Sequence, residues 1–334
     1  MSTKIWYPSA VWYEKAVYDY PLGQEILKRV TSLGIPLQLI ESHNKSRLEL
    51  ADPQKRFYAS KKILILGVKK DLRLQNCSPS ADYRLIIGTS CPGFCEYCYL
   101  ADSLGERVFP RVYINLDEIL QPLLTILRNN HDQKTTSEIS SSGDPLATEH
   151  LTGLLSKTIE ILAEEPNARL RVVTKFPWVE PLLALKHNGN TFFRFSFNSE
   201  YVINTFEHGT ASLKERIDSM QKLGAANYPL GAIIAPIILY DNWQQDYYNL
   251  IKDLAKYLPQ LETFELITFR FSNRAQMKIF TRFPHSKLPF PKNGIRHKAF
   301  GKYVYDEENQ QKIKSFFIET LSTFFPQSHI SYFV

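Results

Sequence analysis

Strand-like and helix-like segments alternate along most of this chain, and that alternation constrains its fold more than any other feature. Residues 83–88, 136–140, 170–174, 191–197, 231–237 and 264–269 are apolar, β-branched stretches of strand length. Between them, residues 116–129, 149–163, 179–186, 211–223 and 243–257 carry helical periodicity. Asn115, with Glu118 three residues on, gives the first of these helices a capping pattern. Strands joined through helices pair in parallel, with right-handed crossovers. The expected fold is α/β: a partial (β/α)6 barrel at residues 83–269, with its chemistry at the C-terminal ends of the strands. An N-terminal region, 1–82, precedes it. An appendage, 270–334, follows, ending in a helix near 310–325 and a strand near 330–333.

No segment approaches the ~20 consecutive apolar residues of a transmembrane helix. The first 13 residues lack the basic and then apolar pattern of a signal peptide, so a cytoplasmic protein without a membrane partner is expected. The net charge of +6 is local: residues 267–305 hold nine basic side chains and no acid, which leaves the rest of the chain at −3. Such concentration is what a polyanion contact requires. Phe271, Phe280, Phe283, Phe290 and Phe300 are interleaved with those charges.

Of four cysteines, Cys91, Cys95 and Cys98 fall within eight residues, directly after the first expected barrel strand; Cys77 stands apart. Crowding of this kind suits metal binding or redox chemistry, not structural disulfides. Thiolates on so short a loop reach three irons of a cubane cluster and leave the fourth open to a substrate or cofactor. Zinc is the other reading. It needs a fourth ligand, from Cys77 or a distant histidine such as His43. The three-then-two spacing, with an aromatic inside, is not the close pairing usual for zinc.

That spacing, with Tyr97 before the third cysteine, resembles the radical S-adenosylmethionine superfamily. Along nearly the whole chain the sequence resembles its spore photoproduct lyase family. The matching stretches include Tyr20-Pro21-Leu22-Gly23-Gln24-Glu25, Val172-Val173-Thr174-Lys175-Phe176, Lys186-His187-Asn188-Gly189, Arg194-Phe195-Ser196 and Phe264-Glu265-Leu266-Ile267. The resemblance implies a [4Fe–4S] cluster on Cys91, Cys95 and Cys98, with S-adenosylmethionine as cofactor. It implies a DNA repair lyase that reverses spore photoproduct (5-thyminyl-5,6-dihydrothymine) to two thymines. Damaged DNA and an electron donor such as a flavodoxin or ferredoxin are the partners it implies. The protein is expected to supply binding and orientation while the cofactor supplies the hard chemistry.

By the same resemblance, Lys175 pairs with the cofactor carboxylate and Ser196 meets its nucleoside or methionine part. Ser142 and Asp144, in the turn after the second strand, meet its amino end; a plain helix cap by Asp144 is the alternative. Tyr97 and Tyr99, flanking Cys98, are placed to relay a hydrogen atom or an electron.

Two features depart from the family. The position of a further cysteine, the hydrogen donor in relatives, is Ser141 here, and a serine O–H bond is too strong for that role. Cys77, or Tyr97 and Tyr99, are the candidate replacements, although a lone cysteine is more often a buried apolar side chain. Relatives also carry an arginine–tyrosine pair near Gly301-Lys302-Tyr303, in a hairpin that opens the duplex at the lesion. Here the stretch reads Arg296-His297-Lys298-Ala299-Phe300. Arg296, His297, Lys298 and Lys302 are the expected phosphate contacts and Phe300 an apolar wedge. These departures keep two other readings open: a radical enzyme of the same subfamily with another substrate, and a zinc-bearing DNA-binding protein without catalysis.

Overall fold

Residues 4–130, 133–291, 294–297 and 301–333 are described by a computed structural model. Seven parallel strands follow one another in chain order across its larger sheet: β1 (Ala81–Arg84), β2 (Thr135–Glu138), β3 (Ala168–Thr174), β4 (Thr191–Phe197), β5 (Leu230–Ile237), β6 (Thr263–Thr268) and β7 (His329–Phe333). The short strand Gln75–Cys77 pairs antiparallel with β1 at one edge. The curled half-barrel expected from the alternation is therefore present. The last strand, which the sequence placed in a closing appendage, is its seventh stave.

Alternation along the strands fixes the two faces. In β3, Ala168, Leu170, Val172 and Thr174 are buried, while Arg169, Arg171 and Val173 are half-buried on the opposite, concave side. Leu170, Val172, Phe193, Phe195, Ile234 and Phe264 join Leu155, Ile159, Leu223 and Leu250 of the covering helices in one apolar core. On the concave side the middle of the barrel is filled by charge. Arg194, 1% exposed, donates to Glu265 through Nη1 at 2.7 and 2.8 Å and to Glu138 through Nη2. Arg171 donates to Glu265 and to the Ser80 carbonyl. Two arginines thus answer two glutamates.

The N-terminal region has a sheet of its own. Leu37–Ile40, Ala10–Glu14, Ile63–Gly67 and Arg111–Tyr113 lie parallel, and Gly88–Thr89 pairs antiparallel with the last of them. Residues 83–88, expected as one strand, are thus divided between two sheets, and the cysteine loop leaves from the seam. The wholly apolar run Ile63–Gly67 has no alternation, so its pattern does not distinguish a buried strand from a helix.

Helices Leu116–Asn129 and Trp243–Tyr257 have the expected bounds, but Asn115 does not cap the first of them with its side chain. Its amide instead donates to the Lys69 carbonyl and Glu118, and accepts from the Lys69 N–H. Residues 149–163 break at Gly153, whose φ of +64° ends one short helix before Leu154–Ala163 begins. Residues 179–186 make only a 3-10 turn, Glu180–Leu182, before Asn188 and Gly189 turn the chain with positive φ. Among the described residues, no helix is long and apolar enough to cross a membrane.

Candidate active site

The loop carrying the three cysteines is held from both sides. Gly143 passes so close that an added Cβ would come within 2.5 Å of the Ser90 carbonyl oxygen. Ser90 itself adopts a φ of +65° and donates its hydroxyl to the Val108 carbonyl at 2.7 Å. Phe94–Cys95 forms a two-residue antiparallel ladder with Glu207–His208, and Cys98 precedes the short helix Tyr99–Ser103. Cys95 is buried; Cys91 and Cys98 are half-buried.

Burial pushes the Cys91 thiol up to about 11, against the nearby charge of Lys61, and pushes Cys95 well above the ordinary thiol range. Thiolates in such surroundings need cationic partners, which iron or another metal supplies. Three thiols on one eight-residue loop are a donor set that fits a cubane cluster. Among the described residues, no three His, Cys, Asp or Glu side chains gather closely enough around one point to hold a single ion. His43, considered as a fourth zinc ligand, is instead held by Glu14, whose Oε1 lies 2.8 Å from Nδ1, beneath the N-terminal sheet.

At the C-terminal ends of β3 and β4 the chain places a second buried charge group. Lys175 Nζ donates to Glu207 Oε1 at 2.9 Å, to Ser196 Oγ at 2.8 Å and to the Tyr97 hydroxyl at 3.2 Å. Tyr97 donates in turn to Glu207. Arg216, fully buried, donates to Glu207, to the Ser196 carbonyl at 2.6 Å and to the Ala211 carbonyl at 3.0 Å. Burial alone would raise the Glu207 carboxyl; Arg216 and Lys175 overcome it and hold the group at about 2. One carboxylate thus faces two cations. The ammonium of Lys175, 18% exposed as a side chain, is the cation left over for an anionic ligand.

The turn after β2 is bound mostly to its neighbours. Ser140 Oγ accepts from Val173 N–H at 2.8 Å, and Ser142 Oγ donates to the Gly88 carbonyl at 2.7 Å. Asp144 accepts from the Thr174 hydroxyl at 2.9 Å and the Lys175 N–H at 3.0 Å, and burial raises it to about 6. It makes no full cap bond to the turn that follows, although the Leu146 N–H of that turn also helps to hold the carboxylate. Ser141 Oγ is buried and, among the described residues, has no hydrogen-bond partner. Tyr99 donates to the Ser141 carbonyl at 2.6 Å while 57% of its side chain is exposed. Enclosure of the hydroxyl end pushes this phenol up, and nearby Cys98, Glu138 and Cys77 act in the same direction. Cys77 is buried in the strand beside β1, opposite Ala81, and lies near enough to Tyr99 to act on its phenol.

The basic stretch 267–305 is less uniform than its composition suggests. Phe271 and Phe283 are buried, and Phe269, Phe271, Phe280 and Phe290 pack ring to ring, with Phe271 and Phe290 centres 4.9 Å apart. Phe269, Phe271 and Phe290 form a small core, with the exposed Phe280 packed on its edge. Lys278 donates to Asp102 at 2.9 Å, Arg274 lies 3.6 Å from it, and Arg282 donates to the Gly105 carbonyl at 2.8 Å. Ser286 donates to Glu96, which also faces His208 Nε2 at 2.8 Å. The appendage is therefore docked on the cysteine loop and the helix after it. Arg296 is exposed on a hairpin in which Ile295–Arg296 pairs with Tyr303–Val304; Lys302 is exposed beside it, and the His297 N–H donates to the Lys302 carbonyl there. Lys298 and Phe300 lie outside the described residues.

Glu207, Arg216, Lys61 and the Glu138–Arg194–Glu265 group were not singled out by sequence reasoning. An arginine amid the apolar run of β4 was a legible signal for Arg194. For the others no local pattern separates them from solvated charges.

The sequence model of the family described as spore photoproduct lyase matches residues 6–334. The chain is 37% identical to the spore photoproduct lyase of Geobacillus sp. (strain Y412MC61) over 339 residues, 98% of each chain. It is 36% identical to that of Bacillus subtilis (strain 168) over 335 residues, again 98% of each. Among solved structures, a spore photoproduct lyase complexed with dinucleoside spore photoproduct is similar at a TM-score of 0.93 and 34% identity, over 99% of this chain and 100% of that one. A doubly substituted lyase with bound AdoMet and the same dinucleoside is similar at 0.94 and 35%, with the same coverage.

Proposed function

This chain belongs to the spore photoproduct lyase family, and from that premise we propose a reading of its site. The protein is a DNA repair lyase that reverses spore photoproduct to two thymines, using a [4Fe–4S] cluster and S-adenosylmethionine. The observation that carries the reading is the meeting of the three-cysteine loop with the surplus cation of Lys175 at the C-terminal mouth of the half-barrel.

When bound, the cluster and its cofactor supply a 5′-deoxyadenosyl radical. Cys91, Cys95 and Cys98 hold the cluster. Lys175, aimed by Glu207, Ser196 and Tyr97, receives the cofactor carboxylate, and Ser196 is the polar group beneath it. Tyr97 ties the cysteine loop to Lys175, so the two ligand sites keep their spacing. Ser142 and Asp144 act through the backbone they hold: Asp144 fixes the Lys175 N–H at the strand end.

A hydrogen atom must return to the thymine methyl carbon. Cys77 Sγ–H is weak enough to give one, and Tyr99, bonded to the Ser141 carbonyl and acted on by Cys77, is the residue to pass it on. Arg296, His297 and Lys302, with Lys298 and Phe300 between them in sequence, grip the duplex at the lesion. A damaged dinucleotide leaves the stack at lower cost than an intact one. The electron comes from a low-potential carrier such as a flavodoxin or ferredoxin, in the cytoplasm.

The test is anaerobic. The reconstituted protein is given dithionite, S-adenosylmethionine and spore-photoproduct dinucleotide, and thymidine products and 5′-deoxyadenosine are quantified. Restored thymines are expected. 5′-Deoxyadenosine without thymine would sink the substrate, and neither product would sink the chemistry. Cys77→Ala is expected to lower thymine formed per 5′-deoxyadenosine; an unchanged ratio removes Cys77 as donor.

A further inference from the structure

Behind the cysteine loop lies a lysine that the reading above does not use. Lys61 ends the helix Pro53–Ser60 and is 1% exposed. Its ammonium donates to the Cys91 carbonyl oxygen at 2.7 Å and to Ser90 Oγ at 3.1 Å. Its remaining close neighbour is the Phe57 ring, 5.8 Å away at its centre. Among the described residues no carboxylate pairs with it. Lys175, Arg194 and Arg216, by contrast, each face a buried glutamate.

A buried ammonium without a counterion is strongly unfavourable, so a fold keeps one only where negative charge answers it. The nearest source here is the cysteine loop itself. Three thiolates outweigh the charge of an oxidised cubane by one, and reduction adds one more negative charge. A cation fixed nearby at low dielectric favours the reduced state over the oxidised one. The same ammonium reaches both residues that turn the loop: Ser90, in the left-handed region where a serine is uncommon, and Cys91, which follows it.

We propose that Lys61 is a positioning residue that anchors the first cysteine ligand and, through its buried charge, raises the reduction potential of the cluster. The proposal rests on the assignment of the cluster to Cys91, Cys95 and Cys98. Its role resembles that of outer groups which orient metal ligands and tune the metal without touching it.

The experiment is a redox titration followed by electron paramagnetic resonance on anaerobically reconstituted wild type, Lys61→Met and Lys61→Arg. Iron and sulfide are counted per chain, and folding is checked by circular dichroism. Lys61→Met is expected to hold the cluster at a more negative midpoint potential, and Lys61→Arg, which keeps the charge, to lie nearer the wild type. Equal midpoints for wild type and Lys61→Met overturn the proposal. If Lys61→Met folds but loses iron while Lys61→Arg retains it, the charge is needed to hold the ligand loop, which supports it. Loss of iron from both folded variants overturns it in favour of simple packing. So does failure of both Lys61→Met and Lys61→Gln to fold. A wild-type protein that never takes up iron and sulfide would sink the cluster assignment instead.

Discussion

Two groups of buried charge lie one above the other in the same half-barrel. Midway along β3 and β4, Arg171 and Arg194 face Glu138 and Glu265, two cations against two carboxylates. At the C-terminal mouth, Glu207 ion-pairs with both Arg216 and Lys175, and Asp144 acts on Lys175 from the strand end. Residue types and burial are nearly the same. The difference is the balance: the lower group is complete without a ligand, and the upper one leaves a cation half-covered beside the cysteine loop. Buried charge by itself does not mark a site; buried charge left unbalanced at a mouth does.

The comparison breaks most visibly at Arg194. Arg194→Met strands the buried Glu138 and leaves Glu265 with Arg171 alone, and is expected to lower stability by about 3–5 kcal/mol in urea titration. A loss within about 0.5 kcal/mol would mean that the lower group is not a structural plug.

Lys175→Met should do the reverse. Glu207 keeps Arg216, so the urea midpoint shifts little, while S-adenosylmethionine binding weakens about 10–100-fold, the value of one charged hydrogen bond, by equilibrium dialysis. Equal losses of stability in the two variants would erase the distinction.

A finer probe is pH. Glu207 is held below its ordinary 4.5, so the stability it contributes is present above that value and fades as pH falls toward about 2. Asp144 is raised from 3.8 to about 6, so its contribution is present below 3.8 and fades as pH rises to about 6. Asp144→Asn should flatten the second slope, at most about 1.4 kcal/mol per pH unit; chemical denaturation between pH 4 and 6 decides. The smallest effect is expected at the exposed hairpin. Arg296→Ala should reduce the salt dependence of duplex binding by about one counterion, with turnover on the free dinucleotide unchanged.

How far these regions were legible in the sequence follows the same line. After the first, divided one, the expected barrel strands were located to within a residue or two, β4 with its full bounds. The cysteine loop was read from spacing, and the expectations for Lys175 and Ser196 came from the family resemblance. Contacts between distant segments were not legible. Glu207 and Arg216 acquire meaning only when the Phe94–Cys95 ladder brings residue 207 beside residue 95. Composition does not reveal that Phe271 and Phe290, interleaved with the basic residues, face each other. The N-terminal sheet was missed since Ile63–Gly67 is apolar throughout and Leu37–Ile40 is exposed to half-buried at an edge.

Strand β7 carries a consequence for how the molecule is made. Its partner β6 ends at Thr268, and β7 begins about 60 residues later, at His329. At roughly 5–20 residues per second on the ribosome, the nascent barrel carries β6 as a bare edge for several seconds. A bare edge is a template for pairing with another chain. Glu265, which Arg194 and Arg171 require, lies on that strand. A version of the protein shortened before residue 329 would therefore fail as an aggregate, not as a folded enzyme with a weakened site.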